Sequence, residues 1–284
     1  MISGLSRTAR MVSAGACIAG LISSLSARAE LRPLWEAGLG VGVVAFPDYR
    51  GSDRTRTWVL PAPYFVYHGD ILKSDRNGVR GRFRANDWID LNIMVNASAP
   101  VDSADNPARQ GMPDLKPTIE IGPSLDLTLW RAGDRRAKLD LRLPMLTGLT
   151  IEGSPKSTGW QFSPRLNLDV QDPAGMAGWN LGLLAGPLFG DRKQHQYFYS
   201  VAQQYATADR PAYEARQGYA GVQFLAAVSK RFPSYWVGGF LRYDTLSGAV
   251  FGDSPLVKRS NYLAGGIAVA WIIGDSSRLV EVND

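Results

Sequence analysis

Two histidines, one cysteine and a scatter of aspartates are the first places to look for side-chain chemistry in this 284-residue chain. His68 stands in Tyr67-His68-Gly69-Asp70, where an imidazole held by a carboxylate would make an acid–base pair. The Gly-Asp step reads more simply as a turn between two strand-like runs. His195, in Lys193-Gln194-His195-Gln196, reads as a solvated loop residue. Neither histidine has a companion that would build a nucleophile–base–acid triad, and no His-x-Ser occurs. Asp48, Arg50 and Asp53 crowd one expected loop, and Asp244 and Asp253 another. Clustered carboxylates can hold calcium, but EF-hand spacing is absent, so these read as solvated charge. A lone Cys17 can make neither an internal disulfide nor a multi-thiolate metal site. No catalytic residue, cofactor or metal is expected, and the chain does not read as an enzyme.

The elements that must position these residues begin after an address. Residues 1–29 combine Arg7 and Arg10, an apolar stretch over 12–25 and Ala27-Arg28-Ala29, the pattern of a secretory signal peptide cut after Ala29. The apolar part is too short to span a membrane. Cys17 raises the alternative of a lipid anchor, but the Leu usual three residues before such a Cys is absent. Removing the address takes three arginines and no acid, leaving 28 basic against 26 acidic residues. The high isoelectric point therefore belongs partly to the address. No basic stripe of a nucleic-acid binder remains, and no nucleic-acid partner is expected.

Residues 30–284 read as one body of alternating strands. Trp35, Ala37, Leu39, Val41 and Val43 alternate with Glu36, Gly38, Gly40 and Gly42. The same period of two recurs at 89–96, 119–129 and 160–170, and further runs lie near 58–67, 71–83, 137–148, 179–189, 219–230, 235–244 and 261–273. Runs of about ten residues suit tilted strands crossing a bilayer, with apolar residues outward and polar residues inward. A soluble β-sandwich also alternates, but an export signal, no cysteine in the mature chain and so many long runs favour an antiparallel transmembrane β-barrel. Tryptophans and tyrosines at run ends suit interfacial girdles. The runs number eleven, whereas a closed bacterial barrel has an even number, so ten or twelve strands are expected. Short turns at 131–134, 172–175 and 232–234 suit the periplasmic side, and long polar stretches at 98–115 and 191–217 the outside. After Ile273 a polar tail, 274–284, follows.

Several stretches carry a family likeness. They are Phe46-Pro47-Asp48-Tyr49-Arg50-Gly51-Ser52-Asp53, Arg210-Pro211-Ala212-Tyr213-Glu214-Ala215, the run Phe240 to Val250 continuing into Asp253-Ser254-Pro255-Leu256-Val257, and Asn261 to Trp271. The chain resembles the MipA/OmpV family of Gram-negative outer-membrane proteins. The resemblance implies an integral outer-membrane barrel. For the family's name member it also implies a scaffold linking a lytic transglycosylase to a penicillin-binding protein; other members are surface proteins or adhesins. Tyr49, Arg50, Gly51, Asp53, Pro211, Tyr213, Arg242, Tyr243, Asp244, Asp253, Ser254 and Pro255 carry the likeness, and either packing or a partner surface would account for them. One departure stands out: such barrels commonly end on an aromatic residue, and this chain does not.

The polar phase of the strands places Glu120, Asp126, Asp140, Arg142, Arg165 and Asp169 in the lumen. Both signs are present, so ion pairs could close the pore; alternatively the same charges would line a narrow channel for small polar solutes. The expected partners are outer-membrane lipid and, through the resemblance, the two murein enzymes.

Overall fold

The computed structural model describes residues 30–68, 72–75, 78–84 and 88–282. The expected signal peptide lies outside them, as does the turn expected after His68. Fifteen strands run in chain order: β1 Glu30–Pro33, β2 Trp35–Pro47, β3 Thr55–His68, β4 Leu72–Asp75, β5 Gly78–Arg84, β6 Ile89–Ser98, β7 Thr118–Arg131, β8 Ala137–Thr150, β9 Ser157–Phe162, β10 Arg165–Gln171, β11 Trp179–Gly190, β12 Gly218–Arg231, β13 Tyr235–Thr245, β14 Asn261–Asp275 and β15 Leu279–Val282. Among the described residues one α-helix, α1, spans Arg192–Tyr199.

Thirteen of the strands form one antiparallel sheet, and it closes: β9 and β10 each pair with both β8 and β11. These two strands are halves of a single stave broken at Ser163-Pro164, where Ser163 N–H still reaches the Pro144 carbonyl at 3.2 Å. Counting them as one stave gives a barrel of twelve. The run near 71–83, counted once from the sequence, is the hairpin β4–β5, which supplies the missing strand.

Alternation sets the two faces of the wall. Val59, Ile267 and Ile273 point outward and are 69 %, 71 % and 75 % exposed. With Leu39, Ile93, Leu129 and Leu241 they form a continuous apolar exterior that water would oppose and hydrocarbon matches. Each stave is hydrogen-bonded to two neighbours, as a spanning sheet requires in lipid, although β3 and β4 pair only at Tyr67–Ser74 and His68–Lys73, nearer the turns. Trp88, Trp130, Trp160 and Trp271 are exposed near strand ends, as girdles should be. Trp58 and Trp236 depart from that expectation and face inward. The Trp236 ring lies over Gly238 and 6.1 Å from Tyr64. Gly38 and Gly40, on the inner phase of β2, admit the β14 backbone: a Cβ at Gly40 would collide with the Val269 carbonyl oxygen.

The connection within the short β4–β5 hairpin apart, the tight turns lie at one end and the long connections at the other. At the turn end, Asp134 accepts from Arg136 N–H at 3.1 Å and Asp172 from Gly178 N–H at 2.6 Å. The asymmetry of such barrels makes this the periplasmic end. Part of the stretch 274–284 is paired. β14 continues to Asp275, and β15 pairs antiparallel with β1, Glu30 opposite Val282 through Pro33 opposite Leu279. The two ends of this body thus leave the barrel together as a two-stranded ribbon.

Candidate functional site: the capped lumen

At the opposite end the connections 48–54, 99–117, 191–217 and 246–260 fold over one another into a cap with its own core. Tyr49, Tyr199, Leu246, Phe251 and Leu256 are buried there with Val101, Leu115 and Val201. The Tyr199 and Phe251 rings stack at 3.7 Å and 8°. Asp191 caps α1, accepting from Gln194 N–H at 2.7 Å, and so ends β11 and turns the chain inward. Buried guanidinium groups bind the loops by donating to carbonyls: Arg210 to Ala108, Gln110 and Tyr205, and Arg109 to Pro113 and Phe198. Each satisfies backbone oxygens that the irregular loops leave unpaired.

Most of the residues that carry the family likeness meet in this cap. The Tyr49 hydroxyl donates to the Leu256 carbonyl at 2.8 Å, and the Tyr199 hydroxyl to that of Arg50 at 3.1 Å. Gly51 takes φ +93°, and a Cβ there would meet Leu246 Cδ1 at 2.9 Å. The Ser254 hydroxyl donates to the Tyr199 carbonyl at 2.7 Å, beside Pro255, and that of Tyr213 to the Val250 carbonyl at 3.4 Å. Asp244, fully buried, lies at the end of β13 rather than in a loop. It accepts from Arg50 Nε at 3.0 Å and faces Arg242 Nε at 2.8 Å. One carboxylate therefore joins the 48–54 turn to the barrel wall. Asp53, Pro211 and Asp253 are exposed, and Tyr243 faces outward beside Phe224.

His195 corrects its reading as a solvated loop residue. It sits in α1, completely buried, its ring edge-on to Phe251 at 4.8 Å and its Nδ1 2.6 Å from the Arg216 carbonyl oxygen. Burial holds this imidazole below its ordinary value; Arg50 adds to the depression, and the Arg216 carbonyl and Asp191 oppose it. Burial likewise raises the Tyr49 and Tyr199 phenols, which stay neutral donors. The sign for His195 follows from linkage. Its folded value lies below the unfolded value of about 6.5, so its share of cap stability is complete above that pH. That share is lost as pH falls from about 6.5 toward the folded value, by up to about tenfold in the opening constant per pH unit. The α1 amides should therefore exchange faster at pH 5 than at pH 7.5 once intrinsic rates are removed, and His195→Gln should flatten the dependence. Equal protection at both values in the unaltered chain would sink this reading.

Inside the barrel the expected lumen charges meet in the half nearer the turns. Arg142 stands among three carboxylates, with Nη2 3.3 Å from Asp169 and 3.5 Å from Asp140, and Nε 3.6 Å from Asp126. Lys138 Nζ reaches Asp140 at 2.9 Å. Ser124, Thr128 and Asn167 donate to Asp126, Asp140 and Asp169. Arg165 is the cross-strand neighbour of Arg142 and reaches Met94 Sδ at 3.5 Å. Glu120 lies farther toward the cap, opposite Asn96. A third cluster carried no signal beyond strand phase. Arg231 grips Glu36 with Nη2 at 2.6 Å and Nε at 3.2 Å, across two intervening staves, while the Tyr64 hydroxyl donates to the same carboxylate at 3.0 Å. Among the described residues no group of His, Cys, Asp and Glu could hold a metal ion.

A twelve-stave barrel with this cap has the family described as MltA-interacting protein MipA matching residues 39–273, nearly the whole wall. The chain belongs to the MipA family. Outer membrane protein Omp26La of Vibrio anguillarum is 25 % identical over 213 residues, covering 73 % of this chain and 76 % of that protein. Outer membrane protein OmpV of Vibrio cholerae is 24 % identical over 213 residues, with the same coverage. This MipA-family barrel is accordingly an outer-membrane protein of a Gram-negative bacterium.

Proposed function

We propose that this chain is a non-enzymatic outer-membrane anchor that presents its periplasmic end to a murein-cleaving lytic transglycosylase and a penicillin-binding protein. The observation that carries the reading is the match of a family described as MltA-interacting to almost the whole barrel. Two features support it. The lumen is crossed by ion pairs and roofed by a packed cap, which argues for a wall that holds rather than conducts. The ribbon of β1 and β15 adds surface to an end whose turns are short, where a stable contact needs about 800 Å² per partner.

The test is a pull-down with the refolded barrel in detergent as bait, against purified lytic transglycosylase and penicillin-binding protein and then native envelope extract. Enrichment of both enzymes is expected. Removing residues 277–284 should weaken capture severalfold while the barrel keeps its heat-modifiable gel mobility. Unchanged capture would take the ribbon out of the interface, and recovery of the barrel alone would refute the anchor. In that case a solute channel and a surface adhesin, built on loops such as 191–217, are the readings left.

A further inference from the structure

We propose that Arg54, Lys258 and Arg259 form a binding site for the phosphate group of an acylated glycolipid in the outer leaflet. The three side chains come from two connections that the backbone holds together. Lys258 N–H and Arg259 N–H both donate to the Gly51 carbonyl, at 2.8 and 3.1 Å. The Arg54 carbonyl accepts from Asp48 N–H at 3.0 Å, closing the same turn. All three cations are exposed, and no ion pair holds any of them among the described residues. The neighbouring acids are spent elsewhere: Asp48 on Arg56, and Asp244 on Arg50 and Arg242. On these two connections Asp53 and Asp253 are the exposed carboxylates, so three cations outnumber two acids.

Position selects the ligand. The patch sits on the outer rim directly above the hydrocarbon-facing wall. Leu263, four residues beyond Arg259, is 60 % exposed, and Val59, five beyond Arg54, faces outward on β3. Between them and the rim, the Tyr243 hydroxyl donates to Asn261 Oδ1 at 3.2 Å, an aromatic with its ring toward lipid and its polar tip toward the headgroups. A ligand with phosphate at the rim and acyl chains down the β2–β14 wall meets both chemistries at once, and two guanidinium forks suit phosphate geometry. A soluble anion meets only the first. The proposal is independent of the anchor reading.

The experiment titrates the full refolded barrel with bis-phosphorylated lipid A, with dephosphorylated lipid A and with inorganic phosphate, and counts retained ligand by native mass spectrometry. The phosphorylated lipid should bind at least about tenfold more tightly than the dephosphorylated one, and added salt should reduce the difference. The triple variant Arg54→Gln, Lys258→Gln, Arg259→Gln should abolish the preference, and Lys258→Arg should keep it. Heat-modifiable mobility of each variant shows whether the barrel is intact. Equal binding of the two lipids, or an intact triple variant that keeps the preference, overturns the proposal. Inorganic phosphate binding as tightly as the phosphorylated lipid would make this a site for soluble anions and overturn its assignment to lipid.

Discussion

Asp244→Ala should loosen the cap by about 3–5 kcal/mol, the scale on which breaking a buried ion pair leaves an uncompensated charge behind. The carboxylate is fully buried and faces Arg50 at 3.0 Å and Arg242 at 2.8 Å. Its removal leaves two guanidinium groups confronting each other where little water reaches. Arg50 belongs to the turn that also carries Tyr49 and Gly51, so the penalty falls on the packing of that turn against Leu246, Leu256 and Val257. The barrel wall is held by backbone ladders that the change does not touch. Limited proteolysis should therefore cut within 191–217 and 246–260 while heat-modifiable mobility survives. Asp244→Asn, which keeps the shape and loses the charge, should show most of the effect. A cap as resistant as that of the unaltered chain would show that the carboxylate is not what holds it.

Arg142→Ala should have an effect of similar size on the barrel itself. Arg142 is nearly buried and lies within 3.6 Å of three carboxylates that Lys138 alone cannot balance. Without it Asp126, Asp140 and Asp169 repel one another in a low-dielectric lumen, again about 3–5 kcal/mol. The urea midpoint of the barrel in detergent should fall markedly. The vacated space, lined by acids, should also admit cations, giving cation-selective steps in a planar bilayer where the unaltered protein is silent. An unchanged midpoint would refute the stabilising role. Steps already present before the change would favour the channel over the closed anchor.

The lumen charges were legible because each strand carries its own phase: once Leu125 and Leu127 are outside, Asp126 is inside. The same rule reaches Glu36 and Arg231, but it cannot say that they meet, since their staves are not neighbours. His195 was misread for a related reason. The hydrophilic residues around it, Lys193, Gln194 and Gln196, suggest solvent, while its burial comes from Phe251, which lies more than fifty residues away in another loop. The strand count slipped at 71–83 because β4 and β5 are two short strands that follow each other closely in one polar stretch.

Alternation, strand length and the placing of short turns are local, one-dimensional properties, and they sufficed to reveal a closed transmembrane barrel with a polar interior. The resemblance of four short stretches located its family. Three things required the tertiary structure: which lumen charges pair, that the long loops share one buried core, and that β1 and β15 join the two ends of the body. Each depends on segments distant in sequence meeting in space, and side-chain phase along a strand carries no information about which distant strand or loop will lie across from it.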